Sequence, residues 1–241
     1  MVATLAKPNL PLYLYRYRSV SPRENANGLI QPTITREIEA LTEPYIWCAD
    51  FHSLNDPMEG FYRPSSNLRR DDDYDSIVQE VYERKIEVGI ASFSDTKENE
   101  LMWTHYAGNY AGICIEYYAK HLLGALPDRV ELVRMGYDDL PPRISMQEVD
   151  GRHAGARKIF SQKKYNWAYE REWRVLGSVG KVEIESTQVV RSIYLGSRIR
   201  YEHRSAILEA LKNSAVAIYE MQIDGYAHVW SPIQGPKNER R

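Results

Sequence analysis

The sequence predicts an α+β protein, a single domain in which two small, mostly antiparallel sheets are flanked by short helices. Roughly eight short segments rich in β-branched and aromatic residues predict the strands, and the amphipathic segments between them predict the helices. No internal repeat, low-complexity region or linker divides the chain. We therefore expect one domain over residues 12–223, preceded by a flexible leader over residues 1–11 and followed by a polar tail over residues 224–241.

The strands are predicted from alternation of side-chain type. In residues 12–18, Tyr13, Tyr15 and Tyr17 alternate with leucines and then with arginines. Six further segments have strand-like composition, at residues 45–49, 87–94, 112–117, 130–135, 189–195 and 216–221. Residues 165–176 complete the set, because charged residues alternate there with aromatic and apolar ones up to Gly177.

The helices are predicted from apolar residues that recur every three or four positions. The predicted helical segments are residues 36–41, 74–85, 100–107, 151–165 and 201–213, and residues 120–126 are either a short helix or a loop. The segment 151–165 is basic, and its charges are either a solvated helix face or a path that draws an anionic substrate to the glutamates beyond it.

Composition and charge narrow the class of protein. Hydrophobic residues make up 43% and charged residues 27%, as in ordinary soluble proteins. The net charge of −2 argues against general attraction to nucleic acid. Cys48 and Cys114 have no metal or redox spacing, and no apolar run is long enough to span a membrane. We expect a cytoplasmic protein with no metal site.

The most informative charge pattern is Glu170-Arg171-Glu172, inside the predicted strand at residues 165–176. Alternate side chains of a strand share a face, so Glu170, Glu172 and Arg174 are expected on one side. Two carboxylates this close repel each other unless a cation or a ligand uses them. Either Glu172 and Arg174 form a structural pair at a sheet edge, or Glu172 is a catalytic carboxylate assisted by Glu170.

Two other predicted strands end in polar side chains. Arg16 and Arg18 share a face of the first strand and are either solvated at its end or directed into an open site. Ser92 and Ser94 share a face at the end of the segment 87–94.

A turn signal follows the predicted strand at residues 45–49. Asp56 precedes Pro57, an arrangement that favours a turn closed by the aspartate side chain. The alternative is a loop that presents Asp56 and Glu59 to a ligand.

In chain order, these groups read arginine, Ser-x-Ser and Glu-x-Glu, which resembles the R-S-E group of mono-ADP-ribosyltransferases. The resemblance implies a split β core that binds NAD as a substrate between two small sheets. It implies that Arg18 or Arg16 holds a phosphate or ribose of NAD and that Ser92 and Ser94 support the nicotinamide pocket.

The same resemblance assigns the chemistry to the glutamates. Glu172 would stabilise the cation that forms as nicotinamide leaves, and Glu170 would position the acceptor nucleophile. Tyr106, Trp103 or Tyr62 would stack on the nicotinamide ring. The chain departs from the family pattern at Phe93, which stands where a threonine is common.

A second resemblance, to the bacterial family of domains of unknown function DUF2971, covers roughly residues 12–223. Seven short motifs carry it in order, at residues 15–19, 55–59, 92–94, 102–107, 112–116, 169–174 and 194–196. This resemblance implies no defined biochemistry beyond an accessory or defence-linked cytoplasmic role.

Three functions follow from these observations. The leading one is an NAD-dependent ADP-ribosyltransferase, a toxin or phage-defence effector that modifies a protein or nucleic acid. The second is a metal-dependent nuclease or hydrolase that uses Asp56, Glu59, Glu170 and Glu172 as ligands. The third is a non-catalytic module that binds a ligand or partner.

Overall fold

A computed structural model describes residues 9–24, 30–31, 33–43, 45–151 and 154–234. Within these ranges the chain forms eight α-helices, three 3₁₀ helices and sixteen strands, so the predicted α+β class is confirmed. None of the helices in the described ranges has both the length and the apolar character needed to cross a membrane.

The strands range from two to eight residues. They are β1 (Tyr13–Arg18), β2 (Arg23–Glu24), β3 (Ile30–Gln31), β4 (Tyr45–Cys48), β5 (Arg63–Pro64), β6 (Val88–Ser94), β7 (Ile113–Tyr118), β8 (Glu131–Arg134), β9 (Gly136–Asp138), β10 (Arg143–Ile144), β11 (Gln162–Lys164), β12 (Glu172–Ser178), β13 (Gly180–Glu183), β14 (Val190–Leu195), β15 (Ala217–Asp224) and β16 (Ala227–Gln234).

The helices are short. The α-helices are α1 (Thr33–Thr42), α2 (Ser66–Arg69), α3 (Tyr74–Ile86), α4 (Glu100–His105), α5 (Ala119–Ala125), α6 (Met146–Asp150), α7 (Ala154–Phe160) and α8 (Tyr201–Leu211). The 3₁₀ helices are Phe51–Ser53, Tyr165–Glu170 and Thr187–Val189.

Eight strands are hydrogen-bonded in the order β16-β15-β14-β7-β1-β6-β12-β8. The predicted pair of small sheets is therefore wrong, because alternation along a strand reports which face is buried and not which strands pair. The described pairings in this sheet are antiparallel except between β14 and β15, as expected for a mostly antiparallel protein. An ADP-ribosyltransferase-like split core does not follow from this strand order.

The described residues group into two compact units, which subdivide the region predicted as one domain. The first unit is Met1–Glu43, Ser94–Ala125 and Ser186–Arg241, and the second is Pro44–Phe93 and Leu126–Glu185. Residues 1–8, most of the predicted leader, lie outside the described residues.

The first unit is built on β7, whose residues 113–117 are all buried. Strand β7 is antiparallel to β1 on one side and to β14 on the other, so it needs apolar side chains on both faces. The polar tail predicted from the sequence includes residues 227–234. They instead form β16, which is antiparallel to β15 and stands first in the sheet order, so the predicted tail is wrong here.

The second unit has its own core, in which helices α3, α6 and α7 pack with β6, β8 and β12. The buried residues of this core are Leu68, Ile77, Val81, Val88, Ile90, Val133, Ile144, Val149, Ala156, Ile159, Phe160 and Leu176. Burial of these side chains stabilises the position of β12. Strand β12 carries Glu172 and Arg174, two charged residues of the candidate site.

The basic segment predicted as one helix over residues 151–165 is divided. It contains α7 and β11, and the second 3₁₀ helix begins at Tyr165. Arg157 pairs with Glu131 and Lys158 with Glu148, whereas Lys163 is buried. Arg152 lies outside the described residues. The basic residues therefore do not form one solvated face.

Candidate active site

The glutamates at positions 170 and 172 do not lie on one continuous strand. Glu170 ends the second 3₁₀ helix, and Glu172 begins β12. Arg171 between them has a left-handed backbone, with φ of 48° and ψ of 48°. This conformation is uncommon for a residue other than glycine, and it ends the 3₁₀ helix just before β12 begins. The predicted strand is therefore wrong for residues 165–170.

The two carboxylates nevertheless meet at one cation, Lys163 of β11. The Lys163 Nζ atom lies 2.7 Å from Glu170 Oε2, 3.6 Å from Glu172 Oε2 and 3.1 Å from Glu59 Oε1. The same ammonium lies 4.7 Å from the centroid of the Trp167 ring, within the range of a cation–π contact. Lys163 thus connects three elements that are far apart in the sequence.

Arg174 of β12 is the second cation. Its Nε donates to Glu172 Oε1 at 2.7 Å, and its Nη2 donates to Glu172 Oε2 at 3.1 Å. Its Nη2 is also 2.5 Å from Glu59 Oε2, and its Nη1 donates to the Phe160 carbonyl at 3.2 Å. The structural Glu172–Arg174 pair therefore exists. It does not lie at a sheet edge, because β12 stands between β6 and β8.

We call Glu59, Lys163, Glu170, Glu172 and Arg174 the charged cluster. Their side chains are only 1–4% exposed. The cluster itself contains three carboxylates and two cations. Buried charges are costly unless they are paired, and the ion pairs within the cluster provide such pairing.

The charges set the ionisation state of the cluster. Burial alone would raise the pKa of Glu172, but Arg174, Lys163 and hydrogen bonds from Arg174 and Ser92 outweigh burial and hold that pKa at about 2. Burial would lower the pKa of Lys163, but Glu172, Glu59 and Glu170 raise it above its ordinary value. Glu172 is therefore anionic and Lys163 cationic at neutral pH.

Two further groups orient Glu172. The Ser92 hydroxyl on β6 hydrogen-bonds its carboxylate, and Ser92 is exposed although the other residues of its strand are buried. The Glu172 backbone N–H donates to the Tyr137 hydroxyl at 2.7 Å. The predicted serine and glutamate are thus adjacent, although 79 positions of sequence separate them.

A small pocket adjoins the cluster in the second unit. It has a volume of about 160 Å³, and its walls include Asp56, Glu59, Phe61, Leu140 and Lys163. Ligand sites usually measure about 300–1,000 Å³, so this pocket suits one ring or a small polar group. The Asp56 carboxylate accepts the Met58 N–H at 2.9 Å, which confirms the structural turn and leaves Glu59 as the loop's contribution to the cluster.

Arg16, Arg18 and Ser94 lie in the first unit. Arg18 forms a bidentate ion pair with the buried Glu37 carboxylate. Its Nε lies 2.8 Å from Oε2, and its Nη2 lies 2.5 Å from Oε1. Arg16 and Ser94 are buried polar residues on β1 and β6.

The aromatic candidates differ in exposure. Trp103 is fully buried, whereas Tyr106 and Tyr62 are half-buried. Since a stacking ring must reach its ligand, Tyr106 and Tyr62 are better placed than Trp103 to contact a ring.

The geometry of the charged cluster gives little support to a metal-dependent nuclease or hydrolase. In the part of the chain that the structure describes, no three His, Cys, Asp or Glu residues are arranged to hold a metal ion. Lys163 and Arg174 lie between the carboxylates that were the predicted ligands.

The pH dependence of stability tests the ionic character of the cluster. Since the Glu172 pKa is about 2 in the folded protein, below its ordinary value of 4.5, its contribution is complete above about pH 5 and disappears as the pH falls toward 2. A difference of this size corresponds to about 3 kcal/mol. We expect the stability lost on Glu172→Gln substitution, measured by urea unfolding, to be largest near pH 7 and to shrink toward pH 3.

Glu183→Gln provides the control, because Glu183 is an exposed residue of the same unit. Its effect on stability should be small at every pH. A Glu172→Gln effect that stays constant between pH 7 and pH 3 would contradict a lowered pKa.

One comparison with known proteins shows a similarity that covers part of this site. The model of the family described as a protein of unknown function, DUF2971, matches residues 102–175. The match confirms the resemblance to that family over a segment that includes Lys163, Glu170, Glu172 and Arg174. No curated protein and no solved structure matches the chain. The resemblance to mono-ADP-ribosyltransferases stays a prediction.

Proposed function

We propose that the protein is an NAD-dependent ADP-ribosyltransferase-like enzyme in which Glu172 is the catalytic carboxylate. The observation that carries this proposal is the hydrogen bond between Ser92 and Glu172. It joins the serine and glutamate of the R-S-E pattern in one site, with Glu170 beside them through Lys163. The finer fold assignment, a split β core of the transferase type, belongs to the same proposal.

The charge of the cluster suits this reaction. When the bond between C1′ of the ribose and the nicotinamide nitrogen breaks, its electron pair leaves with nicotinamide and the ribose becomes an oxocarbenium-like cation. A fixed carboxylate beside that cation stabilises the transition state more than the ground state.

The cations of the cluster have positioning roles in this mechanism. Arg174 holds both oxygens of Glu172, so the carboxylate does not have to be reoriented during the reaction. Lys163 contacts both Glu170 and Glu172 and so holds the two carboxylates close together. Glu170 would then orient the acceptor and take the proton that the acceptor loses as it attacks C1′.

The NAD-binding roles are assigned by the resemblance alone. Arg16 or Arg18 would contact a phosphate or ribose, Ser94 would support the pocket, and Tyr106 would stack on the nicotinamide ring. Arg18 would have to release the buried Glu37 carboxylate in order to take this role. The acceptor in this proposal is a protein or nucleic acid, as in a toxin or phage-defence effector.

Incubation of the protein with labelled NAD, with and without cell lysate, tests the proposal. We expect nicotinamide release or label transfer by the wild type and a loss of at least about 100-fold in Glu172→Gln. Glu183→Gln, which changes an exposed carboxylate of the same unit, should behave like the wild type. Activity that persists in Glu172→Gln would remove Glu172 from the mechanism.

A non-catalytic binding module is the second candidate, and one observation favours it. Both oxygens of Glu172 are engaged by Arg174, as in a purely structural ion pair. The same assay separates the two candidates. A folded wild-type protein that releases no nicotinamide, with or without lysate, supports the binding module.

A further inference from the structure

An aromatic cluster in the first unit holds one of the protein's own cations. The ammonium of Lys97 lies 5.2 Å from the centroid of the Tyr194 ring and 5.5 Å from that of the Trp230 ring. These two rings meet edge to face at a centroid distance of 4.8 Å and an interplanar angle of 69°. Two ring faces at this separation attract a cation through their quadrupoles.

An acidic group completes the surroundings of the cation. Glu98 forms an ion pair with Lys97 and accepts a hydrogen bond from Trp230 Nε1 at 2.9 Å. His228 Nδ1 lies 3.4 Å from the other carboxylate oxygen. The hydrogen bonds that Glu98 accepts from Lys97 and Trp230 outweigh the effect of burial and lower the pKa of Glu98. The Glu98 carboxylate is therefore ionised at neutral pH. We call Tyr194, Trp230 and Glu98 the aromatic cage.

The Lys97 side chain can leave the cage without a change of fold. Lys97 lies between β6 and α4, outside regular structure, and its carbonyl accepts a hydrogen bond from Trp103 Nε1 at 2.8 Å. The preceding Thr96 carbonyl accepts one from the Tyr17 hydroxyl at 3.0 Å. These bonds fix the backbone only. The side chain is 20% exposed, so rotation about its own bonds carries the ammonium into solvent.

We propose that the aromatic cage is a binding site for a quaternary or methylated ammonium group and that Lys97 occupies it as an internal competitor. Aromatic faces combined with a carboxylate are the chemistry that recognises such groups. A methylated ammonium is weakly hydrated compared with the primary ammonium of lysine, so it loses less by leaving water. The inference concerns the first unit and is independent of the proposed NAD chemistry.

Choline chloride is the probe for the test, with the full-length protein and calorimetry at fixed ionic strength. We expect Lys97→Ala to bind choline at least about tenfold more tightly than the wild type, because the competing cation is gone. Lys97→Arg, which keeps a cation in the cage, is expected to bind as weakly as the wild type. In Lys97→Ala, the N-methyl proton signal of choline should move upfield on binding, because the methyl groups lie against ring faces.

The neutral isostere 3,3-dimethylbutan-1-ol separates cation recognition from simple burial of methyl groups. Lys97→Ala should bind it at least about fivefold more weakly than choline. Trp230→Ala in the Lys97→Ala background should abolish choline binding, with circular dichroism to confirm the fold. Equal binding of the neutral alcohol, no gain in Lys97→Ala, or no upfield shift would overturn the proposal.

The same ammonium chemistry occurs on small molecules and on methylated lysine side chains. A trimethyl-lysine peptide, compared with choline and with the unmethylated peptide, distinguishes the two sources. Tighter binding of the trimethylated peptide than of choline assigns the cage to a methylated protein. Equal or weaker binding assigns it to a small-molecule cation.

Discussion

The Arg174→Met variant is expected to lose about 3–5 kcal/mol of unfolding free energy, the usual cost of removing one partner from a buried ion pair. Arg174 contacts both Glu172 and Glu59, and its side chain is 1% exposed. Without it, the cluster contains three carboxylates and a single lysine. Methionine fills much of the same space, so the loss reports charge rather than a cavity. Urea unfolding followed by tryptophan fluorescence measures it.

Two comparisons isolate the electrostatic contribution. Arg157→Met breaks a pair with Glu131 whose side chains are 56% and 44% exposed, so its expected cost is below about 1 kcal/mol. Adding Glu172→Gln to Arg174→Met should recover part of the stability, because it removes one of the unpaired carboxylates. If Arg174→Met costs no more than Arg157→Met, the cluster does not depend on its buried charge.

Gly196→Ala is expected to destabilise the first unit by about 3 kcal/mol, since the added methyl group has no space. A Cβ atom at this position would lie 2.1 Å from the Tyr110 carbonyl oxygen and 3.1 Å from the Gly112 carbonyl oxygen. The backbone cannot simply move away, because the Gly196 N–H donates to the Gly112 carbonyl at 2.9 Å. Thermal or urea unfolding measures the effect.

Gly124→Ala is the matched control, the same substitution in an uncrowded position of α5. A Cβ atom there meets nothing within 4 Å. Alanine has the higher helix propensity, so this variant should be unchanged or more stable by up to about 1 kcal/mol. Similar destabilisation by both substitutions would contradict the steric explanation for Gly196.

Strands with strong alternation could be predicted from the sequence, whereas their partners could not. Residues 13–18 and 113–118 form strands almost as predicted, because burial of one or both faces leaves a local pattern. Pairing depends on contacts between distant segments, so the eight-strand order was missed. Strand β16 was missed because it contains Pro232, which is tolerated at the edge of a sheet but looks like a loop signal in the sequence.

The candidate site could be predicted in part for the same reason. The local spacing of Glu170 and Glu172 marked them as candidates, and Ser92 was named from its position at a strand end. The role of Lys163 as the shared cation was missed, because a lysine in a basic segment usually indicates a solvated face. Only the folded chain brings Lys163 to Glu59, from a loop a hundred residues earlier.

Each of the two units is assembled from pieces that are interrupted in the sequence. The stretch matched by the DUF2971 model, residues 102–175, begins in a piece of the first unit and ends in a piece of the second. An excised fragment with those limits would lack β6, which carries Ser92, and the loop that carries Glu59. It would retain Glu170, Glu172, Lys163 and Arg174 but could not reassemble the charged cluster. The functional regions of this protein should therefore be mapped by single-residue substitutions in the full-length polypeptide and not by deletions.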